Sequence, residues 1–339
     1  MKIRIIAGIS ALAFSLAAAN SFAKVSAEEA DKLGRSLTPI GAEKAGNADG
    51  SIPSWDGGIT TPPAGFDGRN YINPFAAEKP LFEITAANAE QHKDKLSVGH
   101  MAMFKRYDSF KLRVFPTHRT AGYDQRVYDA AKKNATEAEM IEGGFGISNM
   151  TLTVPFPIPS GSESEKGTQL IWNHVTRWRG GSFQRNVVQM TPTANGSYSP
   201  VKFEEQITFT PSLTDYKPGK TDPNVLFYFK QSIVSPARLA GNVLLAHETI
   251  NQVKEPRRAW VYNSGQRRVR RAPQVAYDGP GTAADGQRTS DNFDLFNGAT
   301  DRYDWKFVGK REMYIPYNSY ELSSTQHEYD DIIKVGHVN

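Results

Sequence analysis

The 339-residue chain contains no cysteine, so it cannot rely on a disulfide framework or carry a lipid anchor on a cysteine. Its seven histidines, His92, His100, His118, His174, His247, His327 and His337, include no closely spaced pair of the kind a zinc motif needs. No G-x-S-x-G elbow is present, which removes the usual cue for an α/β-hydrolase. Gly143-Gly144-Phe145-Gly146 lacks the strand, lysine and helix of a phosphate loop, and Asp285, Asp291 and Asp294 miss the EF-hand spacing. Solvated turns account for both. These absences predict no catalytic residue, no metal and no cofactor, although an Asp or Glu pair assembled only by folding leaves no mark in one sequence.

What is present at the front is an export leader. Lys2 and Arg4 precede the uncharged apolar run Ile5–Ala19, and Ser21-Phe22-Ala23 offers small residues at both cleavage positions. The run is shorter than the roughly 20 residues a membrane span needs, so cleavage before Lys24 and a periplasmic mature chain are expected. Loss of Lys2 and Arg4 lowers the formal net charge from +4 to about +2, too weak a field for nucleic acid. Peripheral contact with a membrane surface remains compatible with it.

The mature chain divides by pattern into a helical and irregular arm, 24–150, and a β-rich portion, 151–339. Ser26 and Glu29 predict a capped helix over Ala27–Leu33 closed by Gly34, with further helices over Ala86–Leu96 and Glu137–Glu142 and a strand over Phe110–Phe115. Between 37 and 80, Gly, Pro, Asn and Asp dominate, and Trp55, Phe66, Tyr71 and Phe75 supply apolar anchors. Pro155-Phe156-Pro157-Ile158-Pro159 imposes a rigid extended corner.

Beyond that corner the period becomes two. Val201, Phe203, Glu205, Ile207 and Phe209 alternate with polar residues, as a half-buried antiparallel strand requires. Similar runs predict strands at 168–178, 183–190, 225–234, 243–250, 259–262, 267–271 and 305–315. Short spacing without long helices between them predicts an antiparallel meander. The turn Asn263-Ser264-Gly265-Gln266 pairs Tyr262 with Arg267, Trp260 with Val269 and Arg258 with Arg271. Arg258, Arg267, Arg268, Arg270 and Arg271 are then either a charged edge guarding against aggregation or a rim for an acidic head group or partner.

The segments Pro155–Pro159, Leu170–His174, Pro236–Gly241, Arg258–Tyr262, Arg267–Pro273, Tyr303–Lys306 and Tyr314–Asn318 resemble, in order, a Gram-negative domain-of-unknown-function family labelled outer-membrane lipoprotein-sorting-protein-like. The resemblance implies a mainly β fold like that of the LolA/LolB carriers: a strongly curved antiparallel sheet or half-open barrel with a few helices on its concave side. It also implies partnership with a resistance-nodulation-division type exporter and an outer-membrane protein. Such proteins usually run past the position of Asn339, so closing strands are expected to be missing here, leaving a sheet edge unpaired.

Trp172, Trp178, Phe203, Phe209, Phe227, Phe229, Trp260 and Tyr262 are candidate cavity residues in a half-open barrel and plain core in a closed sandwich. Two functions follow: a non-catalytic carrier or accessory protein for a lipid or other hydrophobic compound, or a protein-docking module without a small ligand. A hydrolase hidden on the scaffold has the least support.

Overall fold

The computed structural model describes residues 24–217, 224–272, 275, 277–334 and 337–338; the expected leader, 1–23, lies outside them. The arm begins with α1 (Ala27–Ala30), shorter than predicted, where Ser26 Oγ accepts the Glu29 N–H at 3.1 Å. The irregular stretch after it is held by backbone carbonyls. Arg119 donates to Glu43 O at 2.5 Å and Lys44 O at 3.1 Å, and Trp55 Nε1 donates to Ala121 O at 2.9 Å. β1 (Phe82–Ile84) pairs antiparallel with β2 (Leu112–Val114) across a 3₁₀ turn (Ala89–Lys95) and α2 (Val98–Arg106). Ile84, Ala89, Leu96 and Phe104 form their small core. The helix expected over 86–96 is therefore only a 3₁₀ turn, and α2, capped by Ser97 and His100, was not predicted.

The helix expected over 137–142 is also displaced. α3 (Gln125–Glu137) ends where that helix was to begin, and the chain enters a hairpin of β3 (Glu139–Ile141) and β4 (Gly146–Ser148). Gly143 and Gly144 make the turn at φ 70° and 101°, which only glycine adopts without strain. Buried Asn134 of α3 accepts the Thr151 N–H at 2.8 Å and donates to Thr153 O at 2.6 Å, fixing the approach to the proline corner.

After that corner comes α4 (Glu163–Val175), where a strand was predicted at 168–178. The overlooked signal was Ser162 with Glu165, a reciprocal capping box observed in full. Aromatic and β-branched residues gave the segment strand-like composition, but Trp172 and Val175 lie on one helical face.

The six-stranded sheet is an open antiparallel meander in sequential order, β5 (Ser182–Gln189), β6 (Val201–Phe209), β7 (Val225–Ser235), β8 (Val243–Thr249), β9 (Arg258–Asn263) and β10 (Arg268–Arg271). β6 matches the predicted alternation over Val201–Phe209, with alternate side chains buried. Bulges at Lys202/Phe203 in the β6–β7 pair and at Val225/Phe227 in the β7–β8 pair bend the sheet. The β9–β10 hairpin keeps the predicted faces but shifts register by two: Val269 faces Tyr262 and Arg271 faces Trp260. The four-residue turn is 264–267 rather than 263–266, with Arg267 at φ 51°, so Tyr262 meets Val269 instead of Arg267.

The segment 305–315 is not a strand. It is an extended strap whose backbone bonds go to separate elements, Phe307 N to Glu163 O (2.8 Å) and Tyr314 N to Lys95 O (2.9 Å). Lys310 adds an ion pair to Glu43 at 2.7 Å.

The main core lies between α4, the 138–156 segment and the inner face of the sheet. Trp172 and Phe156, each 1% exposed, are its largest fully buried side chains.

Candidate functional site

The inner face of the sheet supplies the site's floor. Ile207 pairs with Phe229, Phe209 with Phe227 and Phe229 with Ala246, so these side chains share one face. Helix α4 covers one part of that face, and the segment 277–297 covers another as a lid. Between lid and floor lies a hollow of about 60 Å³ bordered by Phe209, Phe227, Phe229, Leu244 and Phe293. At about 10–15 Å³ of such volume per water, it has room for a few waters with the lid in place.

Polar bonds at its rim hold the lid. Gln189 of β5 donates to Thr282 O at 3.1 Å and also to Ala283 O, and Thr191 donates to Asp285 at 2.9 Å. On the α4 side, His174 Nε2 donates to Asp294 O at 2.8 Å, and Arg177 and Arg179 grip the Asp294 carboxylate. Arg257, just before β9, donates to Val275 O at 2.9 Å and Asn297 O at 3.1 Å. Apolar support includes Phe293, whose ring centroid is 5.9 Å from that of Phe229. Ala283, Asp285, Asp294 and Leu295 all have positive φ, between 46° and 69°, a conformation L-residues disfavour.

The buried carboxylates of the sheet, Glu205 and Glu248, are both paired. Fully buried Glu205 accepts from Arg185 at 2.7 Å and from Gln231 at 2.6 Å. Glu248 forms a buried ion pair with Arg257 and accepts the Thr249 N–H at 3.0 Å. Burial, then the neighbouring Arg177 charge, pulls the Arg179 guanidinium down to about 10, against the opposing pull of Asp294. Burial also lowers Arg288, with Glu205 opposing. A second cavity, of about 210 Å³, is bordered by Phe145, Gln252, Tyr277, Asp301 and the Glu248–Arg257 pair.

The eight aromatic candidates do not meet in one place. Phe209, Phe227 and Phe229 line the hollow. Phe203 shares their face but packs with Val201 and Ile233 in a separate cluster that includes Ala283 of the lid. Trp172 lies on α4 rather than a strand and donates to Gly144 O at 2.8 Å. Trp178 follows the helix in a loop, its ring under Arg126 at 4.8 Å. Trp260 and Tyr262 belong to the opposite face, where Trp260 lies against His247 (4.9 Å) and His247 against Tyr228 (4.7 Å). Even-numbered residues of β9 point away from the inner face because the meander places Ala259 opposite Ala246.

The arginine candidates divide too. Arg258 is half-buried and pairs with Glu255 at 3.3 Å. Arg267, Arg268, Arg270 and Arg271 are exposed and form no ion pair among the described residues. The arginines at the hollow are others: Arg179, Arg257 and Arg288. None of the three is among the arginine candidates of the sequence, because finding them needs the lid's path, which has no periodic signature.

An open, bent antiparallel sheet with one helix and one lid on its inner face defines a mainly β protein with a cleft between sheet and lid. A family model described as "Protein of unknown function (DUF1329)" matches residues 83–339, and the chain belongs to that family. The membership expected from its motifs therefore holds. Uncharacterized protein PA3922 of Pseudomonas aeruginosa is 60% identical over 330 residues, covering 97% of this chain and 71% of that protein. Two solved structures are more distant. A DUF1329 family protein from Desulfovibrio piger is 17% identical with a TM-score of 0.33, over 44% of this chain and 57% of that one. A structure named as an outer membrane lipoprotein-sorting protein domain from Vibrio parahaemolyticus is 16% identical with a TM-score of 0.29, over 42% and 52%. The chain thus spans little more than half of each solved relative. Among the described residues, no helix is long and apolar enough to cross a membrane.

Proposed function

We propose that this protein is a non-catalytic periplasmic carrier or accessory protein that takes a lipid or other hydrophobic compound onto the inner face of its sheet. The observation that carries the reading is the lid: a phenylalanine floor is covered by an irregular segment that rim hydrogen bonds and ion pairs hold down, with a hollow left beneath. Polar anchors exchange with water at little net cost, about 0.5–1.5 kcal/mol each. A ligand tail repays lifting of the lid at about 0.8 kcal/mol per buried methylene. The apolar run Ile5–Ala19 after Lys2 and Arg4, read as an export leader, supports a periplasmic setting.

Mass spectrometry of solvent extracts from natively purified protein tests it, together with fluorescence of N-phenyl-1-naphthylamine added to delipidated protein. A copurified amphiphile and saturable dye uptake are expected. Extracts free of amphiphile together with no dye uptake would defeat the reading.

A second reading, docking on a membrane-protein partner without a small ligand, draws on the exposed arginines of edge strand β10. The Arg258→Ala, Arg267→Ala, Arg271→Ala triple variant separates the two. Loss of partner crosslinking with dye uptake intact supports docking, and the reverse supports carriage.

A further inference from the structure

Arg179, Arg257 and Arg288 border the hollow, and no carboxylate among the described residues does. A guanidinium set against hydrocarbon is unfavourable unless it is paired, so each is tethered to one side. Arg257 has the buried Glu248. Arg288 bonds to neutral oxygens, the Gln189 amide at 2.9 Å and the Thr289 carbonyl at 3.4 Å, and the opposing charge that acts on it, Glu205, is already paired with Arg185. Arg179 has Asp294 at 2.7 Å, but Arg177 holds both oxygens of the same carboxylate at 2.6 and 2.7 Å.

Two guanidinium groups thus share one negative charge, and a third has none of its own. Arg179 Nε, moreover, is buried without a hydrogen-bond partner among the described residues, an unused donor. The Arg179 guanidinium lies 4.6 Å over the ring of Phe209, so this charge sits where the apolar floor begins. The carboxylate that answers it comes from the lid itself, on a residue held at φ 59° and followed by Leu295 at φ 69°. Burial first, and then Arg177, depress the Arg179 guanidinium.

Resting on the carrier reading, we infer that the hollow receives an amphiphile with an anionic head group, a carboxylate or a phosphate. The head replaces Asp294 on Arg177 and Arg179, and the tail lies along Phe209, Phe227 and Phe229. The Asp294 carboxylate is a resident substitute for that head, and its displacement frees the lid at the α4 side. Ligand binding and lid release are then one exchange, in which the arginines keep an anionic partner throughout.

The test compares palmitate, 1-palmitoyl lysophosphatidate and methyl palmitate binding to the delipidated mature chain by calorimetry. At least one anion is expected to bind about tenfold or more tightly than the neutral ester, as charge-assisted hydrogen bonds provide. The tighter of the two identifies a fatty acid or a phospholipid as the source of the head group. In Asp294→Asn the affinity ratio of anion to ester rises by about tenfold again, Asp294→Glu restores the wild-type ratio, and Arg179→Gln lowers it. Equal affinity for ester and anions in the wild type, or binding of none of the three, overturns the inference; the carrier reading falls only if extracts and dye uptake are negative as well. Should Asp294→Asn fail to fold, the wild-type comparison decides alone.

Discussion

Arg257 and Glu248 form a buried ion pair that is also a partition. The arginine borders both cavities, the apolar hollow of about 60 Å³ and its larger neighbour of about 210 Å³, while Glu248 anchors it from β8. Its remaining donors hold Val275 O and Asn297 O. One side chain therefore closes the wall between the cavities and ties down both flanks of the lid.

Removing one partner leaves an uncompensated charge in the sheet. Glu248→Gln is expected to cost about 3–5 kcal/mol of stability in urea titrations. The double change Glu248→Leu, Arg257→Met should recover most of that loss, because two apolar groups of similar volume need no counter-ion. A double variant no more stable than the single one would mean that Arg257 contributes mainly through the lid carbonyls.

Acid should loosen the lid at Asp291. Burial raises this carboxyl, but hydrogen bonds from Thr289 (2.5 Å) and Tyr303 (2.7 Å) outweigh it and hold the group below its ordinary 3.8. A depressed folded value means that its stabilisation is full above 3.8 and is lost as pH falls through the lower, folded value. Thermal melts should therefore decline more steeply below that point in the wild type than in Asp291→Asn.

The strap over α4 depends on one missing side chain. A Cβ on Gly167 would come within 2.7 Å of Lys306 N and 2.9 Å of the Trp305 carbonyl carbon, and backbone has no alternative rotamer. Gly167→Ala is expected to destabilise by about 1–3 kcal/mol. Faster amide exchange at Phe307, whose N–H bonds to Glu163 O, should accompany it.

Trp172 joins packing to hydrogen bonding at the centre of the core. Trp172→Ala should cost about 3–5 kcal/mol in denaturant titrations. Trp172→Phe should cost less, since it retains most of the apolar area and gives up chiefly the bond to Gly144 O.

Much of the sheet was legible beforehand. In β6 every second residue is apolar apart from Glu205, and a strand with one dry face has no other way to satisfy that pattern. Glu205 shows where the pattern misleads: it lies on the buried face as a charge, and Arg185 and Gln231, which satisfy it, come from the strands on either side. At 168–178 the error had a different source. Strand-like composition outweighed a capping box that was plainly written at Ser162 and Glu165. The segment 277–297 carries no period, so its path was invisible, and 305–315 read as a strand although its backbone bonds go to separate elements.

By itself, the sequence determined the meander and the family, because each depends on local pattern or on motifs kept in order. Tertiary structure alone decided which aromatics share a face, separating Trp260 and Tyr262 from Phe209, Phe227 and Phe229. It also put Arg179 and Arg288, rather than the arginines of β10, at the hollow. The physical reason is distance along the chain: Asp294 meets Arg179 across 115 residues, and a contact of that span is settled by how sheet, helix and lid close over one another rather than by any local preference.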